Sequence, residues 1–421
     1  MALGGYPPKC RRTSNFRFKK LTVQDGLSQS AISSVIQDQL GFLWIGTRDG
    51  LNRYDGYNFK QYYYQPNDSS SLPHSTIHHL SLSPDQQLWL ATPGYICQYQ
   101  GGSEGFVSYP IVFQGQSDKT LKVNRFFWKN NHEVLLATTQ GLVLFNLKTK
   151  KCSVPKKHDS FRGQDILSVF LNAHSYNWVA SNTGIYRAPT SNASQWQRLL
   201  PSEQKSTYLT QTSTQRIFAS VDQQLFIWDT TQQKFRLIRE VAGNQPILEI
   251  KELANKQLWV AWGNVTIFSP EGKYLDEITH EPNNPFSISQ DVVNNVYESQ
   301  DGIIWLGTNG FGLNKLDPKL ARFGYIGAFP ETKITLSHMY TQAIYTPNDT
   351  LLYITVSEGL NQINFTRQTS QTFNNRKSRR SNQFNCIMPN SSGGEIWLGS
   401  NDGLWKFKKG QFISVRYPVK I

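Results

Sequence analysis

Cysteine, methionine and charge are all scarce in this chain, and each scarcity closes off a class of protein. Four cysteines, Cys10, Cys97, Cys152 and Cys386, lie far apart without a CxxC pair, so no thiolate metal site is expected. Charged residues make up only 17% against 13% aromatic, which excludes a highly charged disordered segment. No stretch reaches the roughly 18 apolar residues of a membrane-spanning helix. The N-terminus, MALGGYPPKCRRTSNFRFKK, is basic and lacks the run of about 7 to 15 apolar residues that marks a secretory signal. Nor does any segment sustain apolar recurrence at helical spacing over the roughly 10 to 15 residues that a helical repeat needs.

What the 421 residues do contain is a repeat. The segment LWIGTRDGLNRYD from Leu43 returns as LWLATPGYICQY from Leu88, IWLGTNGFGLNKLD from Ile304 and IWLGSNDGLWKF from Ile396. Weaker copies begin at Val134, Asn177, Ile217, Leu258 and Leu352. Their anchors fall at Trp44, Trp89, Leu135, Trp178, Phe218, Trp259, Trp305, Tyr353 and Trp397. The mean spacing of about 44 residues is the length of a four-stranded propeller blade. Short β-branched and aromatic runs between turn residues make each unit a set of strands. In the first unit we expect them at Ile32 to Gln37, Phe42 to Gly46, Leu51 to Tyr54 and Phe59 to Tyr63. Gly46 and Gly307, or alanine at 91, 137, 180 and 261, keep the strand after the anchor slim for close stacking of blades.

The string LTVQDGLSQSAISSVIQDQLGFLWIGTRDGLNRYDGYNF, Leu21 to Phe59, resembles the opening unit of the two-component regulator propeller repeats. EPNNPFSISQDVVNNVYESQDGIIWLGTNGFGLNKLD, Glu281 to Asp317, is similar to a later unit of that family. The resemblance implies the extracytoplasmic sensor part of a receptor, hence a periplasmic setting, followed in the family by an immunoglobulin-like domain, a membrane span and an output module. None of those parts is expected in this chain, and without a signal segment the cytoplasm stays open. The family stacks seven-bladed rings, and Phe16 to Leu21 reads as an outermost strand that completes the seventh blade. We therefore expect an all-β chain: a 1–15 extension, a seven-bladed propeller over 16–318, and two further blades over 319–421 that begin a second ring. A single eight- or nine-bladed ring is the alternative.

The chemical signals weigh against catalysis. A literal GxSxG at Gly101 to Gly105 lies between strands, without the helix a hydrolase elbow needs. His74, His78 and His79 sit where a loop enters a strand, without the intervening Glu of a zinc helix, so no metal and no cofactor is expected. The first strands of the units should line a central channel, and their only acids are Asp38, Glu249, Glu252 and Glu298. That is a poor supply for the paired carboxylates of a glycosidase. Lys+Arg exceed Asp+Glu by 43 to 30, in clusters such as Lys9 to Arg12, Lys148 to Lys151 and Arg376 to Arg380. No nucleic-acid module accompanies them, and nucleic acid is not an expected partner.

The function expected is therefore non-catalytic: a sensor propeller that recognises an external small molecule or oligosaccharide and addresses downstream receptor modules. A protein-interaction platform is the alternative, with a propeller hydrolase behind it. The candidate ligand-binding residues follow the anchor strands: Arg48, Asp49, Asn182, Trp262, Asn264, Asn309, Asn401 and Asp402. Trp44, Trp89, Trp178, Trp259, Trp305 and Trp397 are expected to serve the repeat itself.

Overall fold

In the computed structural model the described residues are 16–113, 116–173, 175–192, 194–202, 207–241, 245–282, 284–290, 292–319, 326–328, 334–375, 383–390 and 395–415. Among them are nine four-stranded antiparallel sheets, so the all-β propeller architecture is realised. The chain divides into two compact units, Met1–Glu281 with Phe286–Arg322, and Pro282–Pro285 with Phe323–Ile421. Seven sheets belong to the first unit and two to the second. The 1–15 extension and the basic clusters at 9–12 and 376–380 lie outside the described residues.

Each blade of the first unit is buried on both faces, which explains its continuous apolar second strand. In Leu43–Thr47 all five residues are buried. Trp44 packs with Leu80 and Leu88 of the second blade, while Ile45 packs on the other side with Trp305 and Leu313 of the seventh. The observed strands of this blade are Ile32–Gln37, Leu43–Thr47, Leu51–Tyr54 and Phe59–Tyr62. The second strand starts one residue later than expected, because the Phe42 amide donates to Asp38 Oδ1 at 3.0 Å within the turn. That carboxylate also accepts the Trp44 indole N–H at 2.7 Å, tying turn and anchor together.

Gly46 shows how tightly the blades stack. A Cβ there would lie 2.7 Å from Ile77 Cγ2, in the segment that enters the second blade. At Gly307 the same addition would lie 2.8 Å from Ile32 Cγ2 of the first.

The seventh sheet is assembled from both ends of the unit. Val293–Glu298, Ile304–Thr308 and Leu313–Leu316 supply three strands, and Phe18–Leu21 supplies the outermost. Phe18 pairs with Leu316 and Leu21 with Leu313, and both of these N-terminal side chains are buried. On the inside, the innermost strands of blades one to seven neighbour one another in cyclic order, the last returning to the first. Asn294 Nδ2 donates to the Ile32 carbonyl at 2.9 Å, and the Gln37 amide donates to the Tyr297 hydroxyl at 3.0 Å, across that junction.

In the second unit, one sheet runs from Thr341–Asn348 to Thr369–Phe373 and the other from Phe384–Pro389 to Gln411–Val415. Each has a small apolar core, centred on Ile354 and Val356 in one case and on Phe384, Leu398 and Phe407 in the other.

Candidate functional site

The repeat register places one side chain per blade at the same level of the ring. The small residue two positions after each anchor pairs with a residue of the innermost strand. Gly46 thus faces Ser34, Ala91 faces His79, Ala137 faces Arg125 and Ala180 faces Ser168. Ser220 faces Tyr208, Ala261 faces Glu249 and Gly307 faces Asn295. All seven are polar. Their neighbours one residue on, among them Val35, Leu80, Val169, Leu209, Ile250 and Val296, are apolar and buried in the blade interfaces. The period-two alternation of a strand separates the two sets.

The seven polar residues line two cavities of about 360 and 230 Å³ that share Arg125, Glu249 and Lys251. The larger is of the size that small-molecule sites begin at, about 300 Å³. Part of its wall comes from β-bulges, which re-aim a side chain at the start of the inner strand. The register shifts at Ser33, Asn124 and Asn294, all three of which line the larger cavity. Asn124 Nδ2 donates to the Ile166 carbonyl of the next blade at 2.7 Å, as Asn294 does to Ile32.

Glu249 is held by its surroundings. Its Oε2 accepts the Val296 amide at 2.8 Å and Asn295 Nδ2 at 3.2 Å. Ser34 plays the same part between blades one and two, where its hydroxyl accepts the Leu80 amide at 3.2 Å. Burial pushes the Glu249 carboxyl pKa up, while Arg125, the Val296 amide, Lys251 and Tyr208 act to lower it. Arg125 Nη2 stands 3.9 Å from Glu249 Oε1, and its guanidinium carbon lies 4.6 Å from the centre of the Tyr208 ring. Burial also raises the Tyr208 hydroxyl pKa. His78 is pushed down to about 4 by burial, with Lys122 and His74 adding to it, and His79 to about 3 by burial and Arg125. Both imidazoles are neutral at pH 7, and Nδ1 of each is buried without a partner.

Of the loop residues singled out by sequence, the structure brings Arg48 and Asn309 together, with Arg48 Nη2 donating to Asn309 Oδ1 at 3.1 Å. Asp49 is exposed, and its amide donates to Thr47 Oγ1. Asn182 is half-buried, and its amide donates to the Asp165 carbonyl at 2.8 Å. Trp262 Nε1 donates to Thr266 Oγ1 within its own blade, and Asn264 Nδ2 donates to Glu277. Asn401 and Asp402 belong to the second unit, where Asn401 Oδ1 accepts Asn385 Nδ2. Trp44, Trp89, Trp178, Trp259 and Trp305 are buried, whereas Trp397 is half-buried. Ser103 is exposed in a turn between two strands, and the Glu104 beside it pairs with Arg53 at 3.2 Å and with Lys60. Among the described residues no group of three or more metal-ligating side chains converges. Arg125, Tyr208 and Lys251 were missed, though counting two residues on from each anchor and crossing to its partner would have found the first two.

A seven-bladed ring with polar side chains around its axis is a closed β-propeller. The two-component regulator propeller repeat matches residues 26–49 and 287–310, so the chain carries repeats of that type. Over 61 residues it is 54% identical to histidine kinase P4 of Formosa agariphila, a match covering 14% of this chain and 4% of that protein. The extracellular domain assigned to a hybrid two-component system of B. thetaiotaomicron superposes with a TM-score of 0.74 at 19% identity, covering 95% of this chain and 55% of that one. Virginiamycin B lyase from Staphylococcus aureus shares the fold at a TM-score of 0.53 and 12% identity, over 72% of this chain and 99% of that one. The chain thus spans about half of the extracellular domain that it matches over nearly its full length. Among the described residues no helix is long and apolar enough to cross a membrane.

Proposed function

We propose that this chain is the ligand-sensing propeller region of a bacterial signal-transduction receptor, placed outside the cytoplasmic membrane, and that it binds an external small molecule or carbohydrate without turnover. The observation that carries the reading is the level of seven polar side chains around the axial cavities. Such a wall presents donors and acceptors from every blade at once, and it can register a ligand by drawing blades together. The repeat match and the extracellular domain of similar fold support the receptor context. Against turnover stands the use of Glu249, the single carboxylate among the residues lining the two cavities, as the acceptor for a neighbouring blade's amide. General acid and base roles need two groups with pKa values set apart.

The test is a thermal-shift and calorimetric screen of the purified chain against oligosaccharides, amino acids and anions, with product analysis of every hit. Ligand binding to the folded form alone raises the midpoint, by about 2.7 kcal/mol of stabilisation at a hundredfold excess over Kd. Conversion of a hit with time would overturn the non-catalytic reading, and the lyase of similar fold makes that measurement necessary. A chain that shifts with no small molecule, yet forms a stable complex with another protein, would replace sensing of small ligands by an interaction platform.

A further inference from the structure

The larger cavity is lined by three cationic side chains, Lys122, Arg125 and Lys251, and by one carboxylate, Glu249. With His78 and His79 neutral at pH 7, the wall carries a net positive charge whether or not Glu249 is ionised. Among the described residues neither lysine head group is within ion-pair distance of a carboxylate, and Arg125 reaches Glu249 only at 3.9 Å. That distance is too long for a hydrogen bond, and the guanidinium lies over the Tyr208 ring with its N–H donors left for a ligand. Like charges gathered on one wall repel one another, and the cost is offset when an anion enters between them.

We propose that the axial cavity of the seven-bladed ring holds an anionic group, a carboxylate or sulfate carried by a small polar molecule, with Arg125 as its principal partner and Lys122 and Lys251 beside it. This assignment rests on the sensing reading and narrows its ligand class. The guanidinium offers a planar fork that matches two oxygens of such a group. Asn294, Asn295 and Ser33 supply neutral polar atoms around it, suited to hydroxyls on the rest of the molecule. Glu249 acts as a positioning residue. It holds Asn295 and the inner strand of the seventh blade, and when ionised it opposes an entering anion.

The experiment is isothermal titration of the purified chain with sodium glucuronate, sodium sulfate and glucose at fixed ionic strength, with a melting curve for each variant to establish folding. Glucuronate is expected to bind saturably and at least tenfold more tightly than glucose. Sulfate separates a site for the bare anion, which binds it as well, from one that also reads the sugar ring, which favours glucuronate. Arg125→Gln and Lys251→Met should each weaken glucuronate about tenfold or more, and Glu249→Gln should tighten it. If Glu249→Gln fails to fold, Lys122→Met, expected to weaken binding, serves as the further variant. Anions that bind no better than glucose, or that keep their affinity in both Arg125→Gln and Lys251→Met, overturn the assignment. Binding of glucose weakened by Asn295→Ala, without binding of either anion, removes the anion assignment and leaves the sensing reading intact. Conversion of glucuronate at an Arg125-dependent site does the reverse.

Discussion

Val35 and Val296 in the first unit are 5% and 2% exposed, whereas Ile344, at the same register of a repeat in the second unit, is 63% exposed. Met388, opposite the anchor Trp397, is 62% exposed, while Trp397 itself is only half-buried. A blade cannot bury its own faces and borrows cover from a neighbour on each side. Seven blades that close supply that cover to one another, and two blades cannot do so at their outer faces. Polarity follows the same division. The level occupied by Ser34, His79, Arg125, Ser168, Tyr208, Glu249 and Asn295 in the ring holds Ala343 and Cys386 in the second unit. The cavity chemistry is therefore a property of the closed ring and is absent from the two-blade unit's corresponding positions.

The most severe way to break this comparison is to remove the residues before Thr22. Phe18 and Leu21 then no longer cover the seventh blade, and Leu313–Leu316 becomes an open edge. We expect the first unit to lose its cooperative transition and the protein to aggregate through that edge, followed by light scattering and by calorimetry. A truncated chain that melts like the full one would show that the ring closes by another route.

A smaller effect separates the anchors. Trp305→Ala removes a buried indole and should cost about 3 to 5 kcal/mol in the first unit. Trp397→Ala removes a half-buried one and should cost only about 1 kcal/mol in the second. Chemical denaturation of both variants, with fluorescence from the remaining tryptophans, gives the two values. Equal losses would mean that the second unit is covered in solution.

The smallest expected effect is in the response to pH. The folded ring holds His78 and His79 neutral down to about pH 4 and 3, while an unfolded chain takes up those protons near pH 6.5. Their contribution is therefore complete above pH 6.5 and is lost as pH falls toward 4 for His78 and toward 3 for His79. Glu249, whose pKa is raised by burial, runs the other way, favouring the fold below its ordinary carboxylate range and losing that contribution as pH rises. Comparing variants isolates the imidazole. Between pH 7 and 5 the native protein should lose about 1 to 2 kcal/mol more than His79→Gln. A variant with an identical pH profile would place that histidine in contact with water.

The blades were legible in the sequence because Trp44, Trp89, Trp178, Trp259 and Trp305 recur with a small residue two positions later, and close stacking demands both. The acceptor role of Asp38 was not, since a turn carboxylate looks the same whether or not an indole reaches it. The channel was only half legible. Glu249 stood out as a rare acid in an inner strand, yet its partners Arg125, Tyr208 and Val296 come from three other blades. Nothing local in VNRFFWK or TYLTQ says that those strands converge. The rim loops drew notice through their polar composition, but Trp262, Asn264 and Asn401 turn side-chain groups to Thr266, Glu277 and Asn385 of their own blades, and Arg48 meets Asn309.

The pairing of Phe18–Leu21 with Leu313–Leu316 also sets a clock on biosynthesis. The two partners are separated by about 300 residues, so at roughly 5 to 20 residues per second the first strand waits some tens of seconds for its mate to leave the ribosome. Throughout that interval the nascent chain carries an unpaired strand, with Phe18 and Leu21 uncovered, ahead of a growing arc of blades. Closure is then a single late event that joins the first strand of the ring to its last, and a nascent chain that stalls before residue 313 has no way to complete the circle.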